Sequence, residues 1–506
     1  MSTLVLWEVS KKQDYIFKSN RLAESIGASI IVKKLEKPSG YGLEEDRFIM
    51  QGGGNALHLF KDGESADRFI KSYSLNTLKE YPGVELFIVK EDLNLQDDDV
   101  KVAVKNAYKA LEKKKTQREN SLSQAGFGIE HDCHSTGLPA VRFSIEDGDR
   151  RYISREVDVK KYIAKKQEGY FKELEPSDYE FSKEIEDLIL EGEKSYISVV
   201  HIDGNSMGKM VRSIEEKIIK EQGESQEDFN QRYIKALKEF SSIVSSGYSH
   251  AFKKTCEAIG KYMRENKYDG LLPLRPLILA GDDVTFLCNS YVSVEASRLF
   301  LQELEKITVN LHDLSLGKLY ACAGIATVKK GYPFIKAYEL AEQLCQNAKT
   351  MLLIQGYENA SALDFHIAQG DVNKTIYDIR QEDYKIKENE KVLNLTMKPL
   401  IMDSSKSWKN YGNFKNALQN INEAINKNVE NEKSDIARSK IKSLKEAFKK
   451  GGEATGFFFK FYKIDNEKFL KDLQGTSGKY CFNQYDNTCM YLDAIEVMDI
   501  FRELKA

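Results

Sequence analysis

Two stretches decide how this chain folds: residues 196–209, YISVVHIDGNSMGK, and residues 274–289, LRPLILAGDDVTFLCN. The first is a hydrophobic run that ends on a carboxylate, Asp203, and reads as a buried strand. The second is two hydrophobic runs around the small acidic turn Ala280-Gly281-Asp282-Asp283, and reads as a β-hairpin. As antiparallel neighbours in one sheet, they bring Asp203 beside Asp282 and Asp283. Three crowded carboxylates repel one another, and burial raises the cost further. A hard divalent cation, Mg²⁺ or Mn²⁺, relieves both effects and leaves room for phosphate oxygens. Two such ions can clamp an in-line displacement at phosphorus. Asp203, Asp282 and Asp283 are therefore the expected metal ligands and catalytic residues.

Gly204-Asn205-Ser206-Met207-Gly208-Lys209 follows directly on Asp203. Small residues after a strand let backbone N–H groups converge on an anion. The segment is not a P-loop, because the glycine–lysine spacing fails by one residue and Met210 replaces the hydroxyl. Downstream, Ala337, Leu340, Ala341, Leu344 and Ala348 share one face of a helix, with Lys349 on its flank. From there Lys349 can reach forward to phosphates.

Outward from these motifs, the second half runs strand, helix, hairpin, helix, strand, helix. The first half has the same order: TLVLWEV (3–9), a helix in SNRLAESIGASIIVKKL, the hairpin RFIMQGGGNALHLF (47–60), a helix from Ala66, VELFIVK, and a helix from Lys101. WEVSKKQ and GGGN stand where HIDGNSMG and AGDD stand later. This is the pattern of a divergent internal duplication. Residues 126–190 are less regular, and FSKEIEDLILEGEK (181–194) is expected to be helical. Residues 210–268 read as long helical sequence, and VSVEASRLFLQELEKITVNL (292–311) as one helix. The last part of the chain reads as mostly helical. Its residues 391–450 hold thirteen Lys or Arg against six Asp or Glu, about +7, which suits an RNA-facing or partner-facing surface.

At roughly 150 residues per domain, 506 residues suggest three domains. The hydrophobic share of 41% excludes wholesale disorder. A net charge of −3 argues against a nucleic-acid coat protein. The opening MSTLVLWEVSKKQD is too short and polar for a signal peptide, and no window approaches the length of a membrane span. Seven cysteines without a C-x-x-C pair argue against a disulfide framework, so a reducing cytoplasm is expected.

Together these motifs resemble the Cas10 (Cmr2/Csm1) family, the large subunit of type III CRISPR effector complexes. HIDGNSMGK resembles the family's D-x-[DN]-x-M-G motif, and LILAGDDVTF its GGDD hairpin. ACAGIATVKKGYPFIKAYELAEQLCQNAK resembles its final strand and the helix ending in Ala-Lys. In the first half, Ser10, Gln13, Ile16, Arg21, Ala28 and Ser29 follow its S-x-x-Q-x-[FY]-I…R…A-S pattern, and MQGGGN occupies its degenerate hairpin. The resemblance spans roughly residues 3–370.

The resemblance implies an α+β fold: two ferredoxin-like palm domains of the GGDEF cyclase type packed together, plus a C-terminal helical domain. The implied extents are 1–125 for a degenerate palm, 126–190 for a connector, 191–370 for a catalytic palm and 371–506 for the helical domain. It implies that the backbone of Gly204, Asn205, Ser206, Met207 and Gly208, with Lys349, holds one triphosphate. A second nucleotide would sit near Gln13, Gly53, Gly54 and Asn55. The implied activity is joining ATP into cyclic oligoadenylate. A second expectation is a scaffold subunit that docks other CRISPR effector subunits and guide or target RNA. Ala280 stands at the first hairpin glycine, and Glu8 with GGGN replaces the aspartates of the first palm. The family's N-terminal HD nuclease is expected to be missing, and the doublets His131-Asp132 and His312-Asp313 lack the other ligands of such a site. HDCHSTGLPA, with His131, Cys133 and His134, resembles the remnant of a zinc knuckle. A diguanylate-cyclase-like enzyme is disfavoured, because the two palms are fused and unequal.

Overall fold

The computed structural model describes residues 1–117, 126–146, 148–166, 169–312, 314–368, 370, 373–426, 436–464, 473 and 478–505. Asp313 lies outside them. In the first half, strand β1 (Ser2–Ser10) leads through helices α1 (Lys12–Phe17) and α2 (Leu22–Glu36) to the hairpin of β2 (Phe48–Gly52) and β3 (Asn55–Phe60). Helix α3 (Gly63–Glu80), strand β4 (Glu85–Leu93) and helix α4 (Val100–Thr116) follow. The sheet order is β2-β3-β1-β4, antiparallel throughout. β1 alternates with period two. Leu4 and Leu6 join one hydrophobic cluster with α4, while Val5, Trp7 and Val9 join another with α2 and α3.

A two-stranded sheet, β5 (Ala140–Glu146) with β6 (Asp149–Ser154), and helix α5 (Arg155–Lys166) connect to the second half. There, β7 (Tyr196–Gly204) is followed by α6 (Met207–Lys217) and α7 (Gln226–Glu265). The hairpin of β8 (Leu274–Ala280) and β9 (Asp283–Asn289), helix α8 (Ser293–Leu304), strand β10 (Thr308–Leu311), strand β11 (Leu314–Lys318), strand β12 (Ala321–Lys329) and helix α9 (Phe334–Ile354) come next. The neighbours β12-β7-β9-β8 repeat the strand order of the first half. The sheet then grows by β13 (Ala362–Ile367), parallel to β12 after the α9 crossover, and by β16 (Leu400–Ile401).

Several segments depart from the sequence reading. Residues 181–194 hold only a 3₁₀ turn at Glu186–Leu188. Local capping competes with a helix there: Asp187 accepts from the backbone N–H groups of Lys183 and Glu184, at 2.9 and 2.8 Å. Phe181 meanwhile bridges Leu272. The long helical stretch breaks at 218–225, where Ser225 caps α7 by accepting from Asp228 N. The stretch 292–311 is helical only to Leu304, and its end pairs as β10 with β11.

The last part mixes helices, including α10 (Ile376–Glu382), α11 (Tyr411–Asn426), α12 (Arg438–Phe448) and α13 (Gly452–Tyr462), with short strand pairs such as β14 (Lys385–Glu388) and β15 (Lys391–Asn394). Much of its positive charge is paired within the chain. Lys415 meets Glu503, Lys442 meets Asp499, Lys445 meets Glu496, and buried Lys398 meets Asp493. Among the described residues no helix is long and apolar enough to cross a membrane. All seven cysteines are buried and free.

Candidate functional site at the facing hairpins

The register of the second sheet places Asp203 opposite Asp283 across β7 and β9. Gly204 N–H donates to Asp282 O at 3.2 Å, which closes the turn onto the end of β7. The three expected carboxylates are therefore neighbours at one end of the sheet. Asp282 bears the electrostatic cost. Burial first, and then the charge of Asp203, push its carboxyl up to about 6. From α7, the Tyr248 hydroxyl enters the same spot, buried and without a hydrogen-bond partner among the described residues. Burial, then Asp282 and Asp203, drive that phenol well above its ordinary range.

The outer carboxylates are each engaged by a lysine. Lys349 Nζ lies 2.6 Å from Asp203 Oδ2 and donates to Gly204 O at 2.8 Å. Lys12 Nζ, from the first half, lies 2.9 Å from Asp283 Oδ2 and donates to Gly53 O at 2.9 Å. Gln13 Nε2 adds a longer contact to Asp283 Oδ2 at 3.4 Å. The other oxygen, Oδ1, is buried, has no hydrogen bond among the described residues and lies 3.6 Å from His201 Nδ1. The donor set is of the kind a hard divalent cation takes. The arrangement is not: among the described residues no group of three or more His, Cys, Asp or Glu side chains is placed to hold a metal ion. The expected three-carboxylate metal centre is thus not formed in this arrangement, because lysines hold two of its members.

The two hairpin turns face each other. A Cβ on Gly52 would sit 3.2 Å from Gly281 Cα, and Gly52 and Gly281 have φ of +145° and +66°. Glycine at both positions allows this backbone conformation and the close approach. Beside the contact opens a cleft of about 330 Å³, whose wall includes Lys12, Gly53, Asn55, Met207, Gly208, Asp282 and Asp283. Two lining groups, Gln51 Nε2 and Asn55 Oδ1, are buried and have no hydrogen-bond partner among the described residues. Such orphaned groups are costly unless something polar meets them.

No protein-family model and no curated protein sequence matches this chain. Solved structures do. A Csm1–Csm4 cassette in complex with cA4 superposes with a TM-score of 0.51 at 10% identity, covering 99% of this chain and 70% of that one. An apo Csm1–Csm4 cassette gives the same TM-score, identity and coverage. The chain has the Csm1 fold. At this identity the likeness concerns architecture alone, and the Csm1-like frame is what sets the two hairpins face to face.

Within that frame the expected nucleotide-binding residues divide. Gly53, Asn55, Met207 and Gly208 line the cleft, and Gln13 touches Asp283. Gly54 turns inward, its N–H donating to Glu36 Oε1 at 2.8 Å. Asn205 faces the opposite way: its N–H donates to Tyr320 O and its Nδ2 to Ala360 O. Ser206 takes a left-handed conformation with φ of 62° and starts α6. Lys12, Gln51, His201 and Tyr248 were not singled out by sequence. Gln51 directly precedes GGGN and Lys12 directly precedes Gln13, so adjacency to a motif was the signal available. At HDCH, Cys133 is buried with Ile153 and Val157, while the exposed His131 stacks on Tyr152 at 4.0 Å. His131, Cys133 and His134 are not gathered into a metal site.

Proposed function

We propose that this chain is a Cas10-like subunit of a type III CRISPR effector complex, with docking of partner subunits and RNA as its main task. The observation that carries the reading is the likeness to Csm1, seen in cassettes with Csm4, over 99% of the chain. In this reading each four-stranded unit is a ferredoxin-like palm, within 1–125 and 191–370. Residues 126–190 connect them, and residues 371–506 form a C-terminal helical domain that also lends β16 to the second sheet. The engagement of Asp203 and Asp283 by lysines fits a scaffold whose catalysis is latent. The test is coexpression in a cytoplasmic host with a Csm4-like partner and a guide RNA. Co-elution of all three at constant ratio is expected; a chain that elutes alone and RNA-free sinks the proposal.

The cleft favours a second reading, nucleotidyl transfer that joins ATP into cyclic oligoadenylate. Its support is the meeting of Asp282, Asp283 and the orphaned Gln51 and Asn55 groups at the facing turns. In this reading the chain's own polar groups orient the nucleotide. Mg²⁺ or Mn²⁺ is the expected cofactor. Each nucleoside triphosphate is incubated with the protein and either ion, and products are identified by mass spectrometry. An oligonucleotide from ATP is expected, and its loss in Asp282→Ala/Asp283→Ala. Full turnover in that double variant excludes the mechanism.

A further inference from the structure

We propose that Lys12 is a built-in counter-ion that clasps the two hairpins together and holds the cation position at Asp283, so that a divalent ion binds there only by displacing it. The proposal rests on reading Asp203, Asp282 and Asp283 as a cation site, and it explains why those groups do not converge on one point.

Lys12 Nζ has one partner on each hairpin, Gly53 O and Asp283 Oδ2, both at 2.9 Å. It belongs to neither strand pair. It is delivered by the turn after β1, where Lys11 adopts a left-handed conformation with φ of 49°. A lysine in that region is uncommon and persists only where its surroundings hold it. The turn aims Lys12 and Gln13 together at Asp283. The Lys12 side chain is 13% exposed, so water screens the contact little. Lys349 differs, because both its partners, Asp203 and Gly204, lie on its own half of the molecule. Only Lys12 of the two spans the halves.

Charge shows what the clasp does. Within the cluster three carboxylates face two ammonium groups, with Glu342 close enough to feel Asp283 and Asp203, so each ammonium cancels a large share of the pull on a divalent ion. Removing the Lys12 ammonium frees Asp283 Oδ2 and adds a negative charge beside Asp282. A methionine there keeps an unbranched, apolar side chain in place of the lysine stem, whose Cδ lies 3.5 Å from where a Cβ on Gly54 would sit. Cation binding and hairpin closure thereby become linked: whatever lifts Lys12 from Asp283 opens the site to the ion.

The test uses the purified full chain and Mn²⁺ alone, without nucleotide, reading free Mn²⁺ by electron paramagnetic resonance. Lys12→Met is expected to bind Mn²⁺ at least tenfold more tightly than the wild type. Asp282→Ala/Asp283→Ala sets the baseline, and Lys12→Arg, which keeps the charge, should match the wild type. If Lys12→Met fails to fold by circular dichroism, Lys12→Gln is read the same way. Equal or weaker binding in the folded variant overturns the clasp alone. No saturable Mn²⁺ in either protein overturns the clasp and the cation-site reading together, while leaving the complex-subunit reading standing.

Discussion

Gly204 is fixed by what faces its α-carbon. A Cβ there would lie 2.7 Å from the Tyr248 hydroxyl and 2.9 Å from Asp282 Cβ, both closer than real contacts allow. Overpacking of this kind costs about 1–3 kcal/mol. Gly204→Ala is therefore expected to lower the unfolding free energy measured in urea by that amount. Adding Tyr248→Phe, which removes the hydroxyl, should restore part of it. Full recovery with Tyr248 intact would show that the backbone yields freely. The carboxylates around this glycine were legible because a hydrophobic run ending in Asp and a hairpin carrying Asp-Asp are local signals. Lys12 was not, since a lysine in a polar turn carries no mark of a partner far along the chain. Its neighbour Gln13 meets Asp283 across 270 residues. Lysine pairing was the part hidden in the sequence: like-charge repulsion demands some cation, and sequence alone could not say that ammonium groups meet Asp203 and Asp283.

At the scale of elements, period-two and helical patterns located both hairpins and most helices, and they failed where local polar bonds intervened. The acidic run at 181–194 has helical composition, yet Asp187 spends its carboxylate on backbone N–H groups. The β10–β11 hairpin was hidden because its strands are short and follow α8 without a strong breaker. The β2–β3 hairpin also carries a pH dependence. His58 lies between Phe48 and Phe60, with ring centroids at 4.7 and 4.6 Å, and its Nε2 pairs with Glu44 O at 3.2 Å. Its Nδ1 is buried without a partner among the described residues. Burial is the leading cause that pulls this imidazole from 6.5 down to about 4. The unfolded chain therefore takes up the proton first. The contribution is fully present above pH 6.5 and is lost as pH falls toward 4. At pH 5 the loss is about 2 kcal/mol. Between pH 7 and 5 the melting temperature of the wild type should fall further than that of His58→Gln. Parallel profiles would assign the acid sensitivity elsewhere.

Across the whole molecule, neither sheet owns its core. Val5, Trp7 and Val9 of the first sheet belong to the same buried cluster as Ile197, Val199 and Leu344 of the second half. Leu4 and Leu6 share the other cluster with Val200 and Ile202. Polar contacts cross the same boundary. Phe334 N–H at the start of α9 donates to Asn20 Oδ1 at 2.9 Å, and Ser29 donates to Leu277 O. Phe17 stacks on Tyr338 with centroids 4.5 Å apart. A duplicated sequence suggests two units that could melt separately; shared cores argue that they melt together. Calorimetry of the full chain should then give one main transition for both sheets. Phe17→Ala removes a fully buried ring at the boundary and should cost about 3–5 kcal/mol. Because that ring belongs to both halves, the whole transition is expected to move down without splitting. A separate low-temperature peak carrying only part of the enthalpy, in either protein, would show that the halves hold their cores independently.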